Sequence, residues 1–183
     1  MKIGFIGLGM IMGKPMSKNL LKAGYALVVL DRNTEAVEEV VAAGAERASS
    51  PKTLAEQCEV IITMLPNSPH VKEVVLGENG VIEGAKAGSV VIDMSSIAPL
   101  ASREIAAALA AKQIQMLDVP VSGDKGIFER HAALLKSMAG SVVHTGDIGA
   151  GNVTKLANQV IVALNIAAMS EDMVLATKAV MDP

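Results

Sequence analysis

Short apolar runs alternate with amphipathic stretches along most of the chain. Period-two and continuous apolar segments predict strands near 2–6, 26–31, 59–64, 89–93, 114–118 and 142–145. Apolar residues at three- and four-residue spacing predict helices near 14–23, 34–43, 51–57, 69–75, 99–112 and 125–138. Regular alternation of strand and helix favours a parallel sheet covered on both faces, a doubly wound α/β fold. From about Gly151 the pattern changes: Val153, Leu156, Val160, Leu164 and Ala168 keep helical spacing, while Val162, Ile166 and Met169 mark a second apolar face. A helix apolar on two sides needs two partners, so this stretch reads as a long interdomain-type helix leading into a further helical domain or a dimer.

The first strand runs straight into glycines. Gly7, Gly9 and Gly13 follow Lys2–Ile6, an amphipathic stretch leads to a second strand, and Asp31 stands 18 residues beyond Gly13. That order outlines a Rossmann-type dinucleotide site. Glycines let the turn, with Leu8 and Met12 in it, approach a pyrophosphate, whose charge meets free N–H groups at the helix start. An acid about 20 residues on holds the adenosine ribose hydroxyls and favours NADH, with Arg32 beside it tempering that preference. The alternative is a glycine turn serving strand–helix packing alone. Met10, Ile11 and Met12 make the spacing GxGxxxG, one residue longer than usual. Pro15 is tolerated only in a first helical turn, so the helix should start at about Met12 or later. The extra residue should bulge the phosphate loop, keep Gly9 at the turn and rotate Gly13 out of its helix-packing position.

Composition narrows the setting. With 183 residues, 51% of them hydrophobic, the chain can fill one full domain core, with or without an appendage. A net charge of −3 with interspersed signs gives no reason to expect nucleic acid or an anionic membrane. Cys58 is the one cysteine, which points to a reducing compartment, the cytoplasm, and to a core role rather than a nucleophile. The glycine-broken N-terminus does not read as a signal peptide, and no uninterrupted apolar run reaches the roughly 18 residues of a membrane span. His70, His131 and His144 lack metal-type spacing, so no metal is expected. The eleven methionines read as core filler.

Five stretches in order, GFIGLGMIMGKPMSKNLLKAG, ITMLPNSPHV, VIDMSSIAP, LDVPVSG and GAGNVTKLANQ, resemble the β-hydroxyacid dehydrogenase family along almost the entire chain. The resemblance implies an NAD-binding domain over 1–148 and the start of a C-terminal helical domain over 149–183; if the chain ends at Pro183, the second apolar face of the last helix calls for a homo-oligomer to cover it. It implies that Leu65, Pro66 and Ser96 line the cofactor and that Ser122 and Gly123 hold the substrate carboxylate. It also makes Lys155 the catalytic lysine, with Asn158 or Gln159 as the amide that meets substrate. Read without the family, Pro66, Ser96 and Ser122–Gly123 are turn chemistry and Lys155 a solvated lysine. Hydride transfer to a carbonyl carbon develops negative charge on its oxygen, which an ammonium stabilises and protonates. The implied activity is NADH-dependent reduction of tartronate semialdehyde (2-hydroxy-3-oxopropionate) to glycerate, or of a related semialdehyde of a small 3-hydroxy acid. Two departures support the rival reading, a non-catalytic NAD-binding module or a fragment lacking the substrate domain. After Gly123 the family continues with a third glycine and a GTLxxMVGG strand, and roughly fifteen residues of that kind are absent. The family's helical domain also extends beyond Pro183.

Overall fold

The computed structural model describes residues 1–9, 11–119 and 121–179. Met10 of the phosphate loop, Pro120 and the last four residues, Pro183 among them, lie outside it. Seven strands form one sheet: β1 (Lys2–Ile6), β2 (Ala26–Leu30), β3 (Glu46–Arg47), β4 (Val60–Thr63), β5 (Val90–Asp93), β6 (Gln115–Asp118) and β7 (Ser122–Gly123). The spatial order is β3-β2-β1-β4-β5-β6-β7, parallel throughout except for β7, which runs antiparallel to β6. The doubly wound Rossmann arrangement expected from the alternation is therefore present.

Helices cover both faces. On one side α1 (Gly13–Lys22), α2 (Thr34–Ala42) and α7 (Lys125–Met138) bury Met16, Leu20, Val37, Val40, Leu134 and Leu135 against Ile3, Phe5, Ile62, Ile92 and Leu117. On the other, α3 (Pro51–Ala55), α4 (Ser68–Leu76), α5 (Val81–Gly84) and α6 (Pro99–Ala110) bury Leu54, Val71, Val75, Val81, Ile105 and Leu109 against Ile6, Ile61, Val91 and Met116. Both sheet faces are occupied, which is why the central strands read as continuous apolar runs. Each fully buried Ile, Leu or Phe contributes about 1.5–3 kcal/mol. Side-chain caps set the helix starts: Asn33 accepts from Ala36 N, Ser50 from Thr53 N, Asn67 from His70 N and Asp124 from Ile127 N.

Three differences from the sequence reading have physical causes. The strand expected at 142–145 is an irregular segment laid beside β7, joined by Thr145 N→Val121 O and Gly123 N→Gly146 O, both 2.8 Å. Gly146 and Gly149 take φ of 127° and 90°, which no regular strand can continue through. β3 and α5 are too short, at two and four residues, to imprint a periodicity. The last helix, α8 (Ala150–Lys178), runs for 29 residues, and only Gly151 and Asn152 are buried in it. Among the described residues it alone is long and apolar enough to cross a membrane by length and composition, with a mean hydropathy of 1.6 over its best 18-residue window. Asn158, Gln159 and Asn165 interrupt every apolar run, so a count of consecutive apolar residues passes over it.

Candidate active site

The chain leaves β1 toward β2 on one side and reaches β4 on the other, so a crevice opens at the carboxyl ends of β1 and β4. There a cleft of about 460 Å³ is lined by Gly7, Gly9, Met12, Gly13, Asp31, Arg32, Leu65 and Pro66, eight of the ten residues that sequence assigned to the cofactor. Two glycines explain its shape. Gly7 has φ 101°, and a Cβ on it would stand 2.2 Å from the Met64 carbonyl oxygen. A Cβ on Gly13 would stand 2.0 Å from the Gly7 carbonyl oxygen. Gly13 thus keeps its close-packing position at the start of α1, contrary to the rotation expected from the longer spacing. The extra residue is absorbed upstream, where Lys14 N reaches back five residues to Gly9 O at 3.2 Å. Gly9 has open space where a side chain would project.

Leu8 does not line the cleft; its side chain is buried and its N–H donates to Asp31 Oδ2. Asn33 N donates to Asp31 Oδ1 at 2.7 Å. Two backbone donors fix the carboxylate at the end of β2, and each oxygen keeps a lone pair for a ribose hydroxyl. Arg32 is turned to Glu73 on α4, with Nη2 2.9 Å from Oε1. The open side of Gly9, the oriented Asp31 and the first-turn N–H groups of α1 fit a dinucleotide pyrophosphate and ribose. Sequence reasoning missed Ile11, Met64 and His70 as further walls. His70 sits at the start of α4, with Nδ1 2.6 Å from Asn67 Oδ1. Only its place directly after LPNSP signals that it also faces the cleft.

The cleft continues. Met12 and Met64 are also walls of a hollow of about 400 Å³ that holds Met94, Val119, Lys155 and Asn158. Lys155 Nζ donates to Ser96 Oγ. On the other side of Lys155 lies a second hollow of about 400 Å³, with Ser96, Pro99, Asn152 and Gln159. The two candidate amides therefore flank the lysine, Asn158 on the side continuous with the dinucleotide cleft and Gln159 on the side of Ser96. Ser122 and Gly123 are not brought to either hollow. Ser122 is fully buried and its hydroxyl donates to Asp118 Oδ1. Gly123, at φ 126°, lines a different hollow of about 630 Å³ beside Gln115 and Asp147. The cause is local: Asp124 caps α7 immediately after β7, so no loop projects from Ser122–Gly123 toward Lys155.

A buried polar network sets the position of α8. Asn152 Nδ2 donates to Asp118 Oδ2 and to Ser102 Oγ, both 2.9 Å, and Gly149 N donates to Asp118 Oδ1 at 3.2 Å. Asn152 lies one turn before Lys155, so this latch fixes the lysine. Beside Asp118 on β5, Asp93 is fully buried; Oδ1 accepts from Thr63 Oγ1 at 2.8 Å and Ser95 N at 3.1 Å. Asp93 Oδ2 has no partner among the described residues. Burial pushes this carboxyl up to about 6, against the pull of hydrogen bonds from Ser95 and Thr63 and with a smaller push from the Asp118 charge. The native state therefore binds the Asp93 proton more tightly than the unfolded chain, and its contribution to stability is lost as pH rises from about 4 to about 6. Replacing Asp93 by Asn should flatten that part of the profile and raise stability most above pH 6. Urea midpoints of both proteins across this range check it, and parallel profiles would contradict it. Cys58 is a core residue, its thiol pushed up to about 11 by burial.

Residues 2–145 match the NAD-binding domain of 6-phosphogluconate dehydrogenase, and 149–183 match the NAD-binding family of NADP-dependent 3-hydroxyisobutyrate dehydrogenase. The chain is 38% identical to the Escherichia coli 2-hydroxy-3-oxopropionate reductase, over all of this chain and 68% of that one. It is 37% identical to the mitochondrial 3-hydroxyisobutyrate dehydrogenase of Mus musculus, over 99% of this chain and 58% of that one. The solved Mycobacterium tuberculosis 3-hydroxyisobutyrate dehydrogenase with L-serine superposes with a TM-score of 0.91 at 30% identity, over 99% of this chain and 66% of that one. The chain thus spans roughly three fifths to two thirds of these relatives' length. The Escherichia coli comparison extends over 199 residues against 183 here, a difference of 16. With its NAD-binding domain matched over 2–145 and glycine turn, acid and lysine set along one crevice, the chain belongs to the β-hydroxyacid dehydrogenase family.

Proposed function

We propose that the chain carries an NADH-dependent reductase of a small semialdehyde, tartronate semialdehyde or the semialdehyde of a related 3-hydroxy acid. The observation that carries this reading is the placement of Lys155, hydrogen-bonded to Ser96, in a hollow that shares Met12 and Met64 with the dinucleotide cleft. A reduced nicotinamide bound in the cleft would supply the hydride. Lys155 stabilises and protonates the carbonyl oxygen, and in the reverse direction accepts the alcohol proton. Ser96 holds the lysine side chain over the hollow. Asn158, on the cofactor side, is the amide that meets substrate, and Gln159 lines the hollow on the side of Ser96. In this reading 1–148 forms the dinucleotide-binding domain and 149–183 belongs to the helical domain.

Loss of NADH absorbance on adding tartronate semialdehyde tests the activity; NADH binding without turnover for any small semialdehyde would favour the non-catalytic module. That second reading has its own support, since the hydroxyl of Ser122 is spent on Asp118 and unavailable to a substrate carboxylate. NADH should bind more tightly than NADPH, because a 2′-phosphate meets the Asp31 carboxylate while Arg32 is paired with Glu73. Fluorescence titration showing tighter NADPH binding would remove Asp31 from its role. The exposed apolar faces of α8 support a homo-oligomer joined through that helix. A monodisperse monomer in light scattering at micromolar concentration would contradict it.

A further inference from the structure

Leu65 and Pro66, two walls of the dinucleotide cleft, lie in the irregular segment between β4 and α4. The glycine turn closes directly on that segment. A Cβ on Gly7 would stand 2.2 Å from Met64 O and 3.2 Å from Leu65 Cδ2, so a shift of Leu65 is felt by the turn that meets the pyrophosphate. What holds Leu65 comes from the end of the neighbouring strand, β5. Leu65 N donates to Ser95 Oγ at 2.8 Å, Ser95 N donates to Asp93 Oδ1 at 3.1 Å, and Thr63 Oγ1 donates to the same carboxylate oxygen at 2.8 Å. Thr63, Asp93 and Ser95 are fully buried, and none of the three lines the cleft.

This arrangement lowers stability. A buried carboxylate with one oxygen unpartnered among the described residues is less favourable to the fold than a well-packed apolar side chain of similar volume. Local rules are broken in this way where a site needs a group held in place. An apolar residue at position 93 would leave Ser95 N and Thr63 Oγ1 without their acceptor, and Ser95 without its anchor.

We propose that Asp93 and Ser95 are positioning residues for the cofactor: Asp93 orients Ser95, and Ser95 sets Leu65 against the Gly7 turn, so that a buried carboxylate outside the cleft fixes one of its walls. The proposal rests on the dinucleotide cleft and is independent of the chemistry at Lys155.

The test reads binding. NADH is titrated by fluorescence into the chain and three variants, with urea midpoints measured in parallel. Ser95→Ala removes the acceptor of Leu65 N and little volume, so its dissociation constant for NADH should rise about threefold to tenfold, the equivalent of one hydrogen bond. Asp93→Ala removes the acceptor at the base of the chain of bonds and should weaken NADH binding by at least as much. Asp93→Asn keeps a carbonyl oxygen that can accept from both donors and should bind NADH within about twofold of the wild-type protein. Lower stability by itself leaves the dissociation constant of the folded protein unchanged, so affinity and midpoint together separate positioning from a merely structural role. Wild-type affinity in S95A overturns the proposal, even if D93A fails to fold. An affinity in D93N as low as in S95A likewise overturns it, since the Asp93 oxygen would then not be what holds Ser95. A wild-type chain that binds no NADH removes the cleft and the proposal with it, a failure distinct from that of the network alone.

Discussion

Replacing Lys155 by alanine should lower semialdehyde turnover by on the order of 10² or more while leaving NADH affinity nearly unchanged. The asymmetry follows from position. Lys155 lies on α8, and the cleft formed by Gly7, Gly13 and Asp31 is built by β1, α1 and β2. Alanine removes the proton donor and the charge that stabilises the carbonyl oxygen, and also frees Ser96 Oγ of its bond. It leaves the Asn152 latch intact, so α8 keeps its position. Lys155→Arg should not restore activity, since a guanidinium holds its proton throughout the neutral range and is larger and planar. Steady-state rates with parallel NADH titration decide the matter. Near-normal turnover in Lys155→Ala would remove the central residue of the enzymatic reading.

Gly13→Ala should damage the fold and the cofactor site together. The added Cβ would meet Gly7 O at 2.0 Å and Leu8 Cα at 3.0 Å, both backbone atoms with no side-chain freedom to yield. Relief requires prying α1 away from the turn after β1, at a cost of about 1–3 kcal/mol for overpacking. The same movement displaces the N–H groups at the start of α1 from an incoming pyrophosphate. Loss of two bonds to a charged group, at about 1.5–3 kcal/mol each, amounts to on the order of 10² or more in NADH affinity. Gly9→Ala separates the two effects, because a Cβ there meets nothing within 4 Å yet projects from a residue that lines the cleft. It should weaken NADH binding with an unchanged denaturation midpoint. If Gly13→Ala matches the wild-type protein in both midpoint and affinity, the close approach of α1 to the turn is not what forms the site.

What sequence reveals about this chain depends on the range of the interaction. The central strands and the helices on their faces were legible because both sheet faces are buried and the helices bury single stripes, so the pattern reports the packing directly. The cofactor cleft was legible for a related reason: Gly7, Gly13 and Asp31 are local to one β-α-β unit, and their spacing nearly fixes their geometry. The position of Gly13 was misread because the bulge of the phosphate loop was expected to carry Gly13 with it, whereas the loop closes upstream of Gly13 through Lys14 N→Gly9 O. The 142–145 strand was misread because the segment lies beside a neighbour, β7, only two residues long, and joins it and Val121 through His144, Thr145 and Gly146. The positions of Ser122 and Gly123 could not be read at all. They depend on where Asp118, Asn152 and Asp124 stand, which are contacts between strand, loop and helix that no spacing encodes. The network of Asp118, Ser102 and Asn152, and Asp93 on the strand beside it, were invisible for the same reason.

The latch at Asn152 has a mechanical corollary. Past it, α8 extends about 26 residues, roughly 39 Å at the rise of an α-helix, with no buried residue to steady it. A tilt of about 10° around Asn152 would sweep the far end through roughly 7 Å. Lys155, about 4.5 Å from the pivot, would move by less than about 1 Å. A tilt of α8 about Asn152 would thus leave the amine over the hollow in register while the outer two thirds of the helix moved through several ångströms.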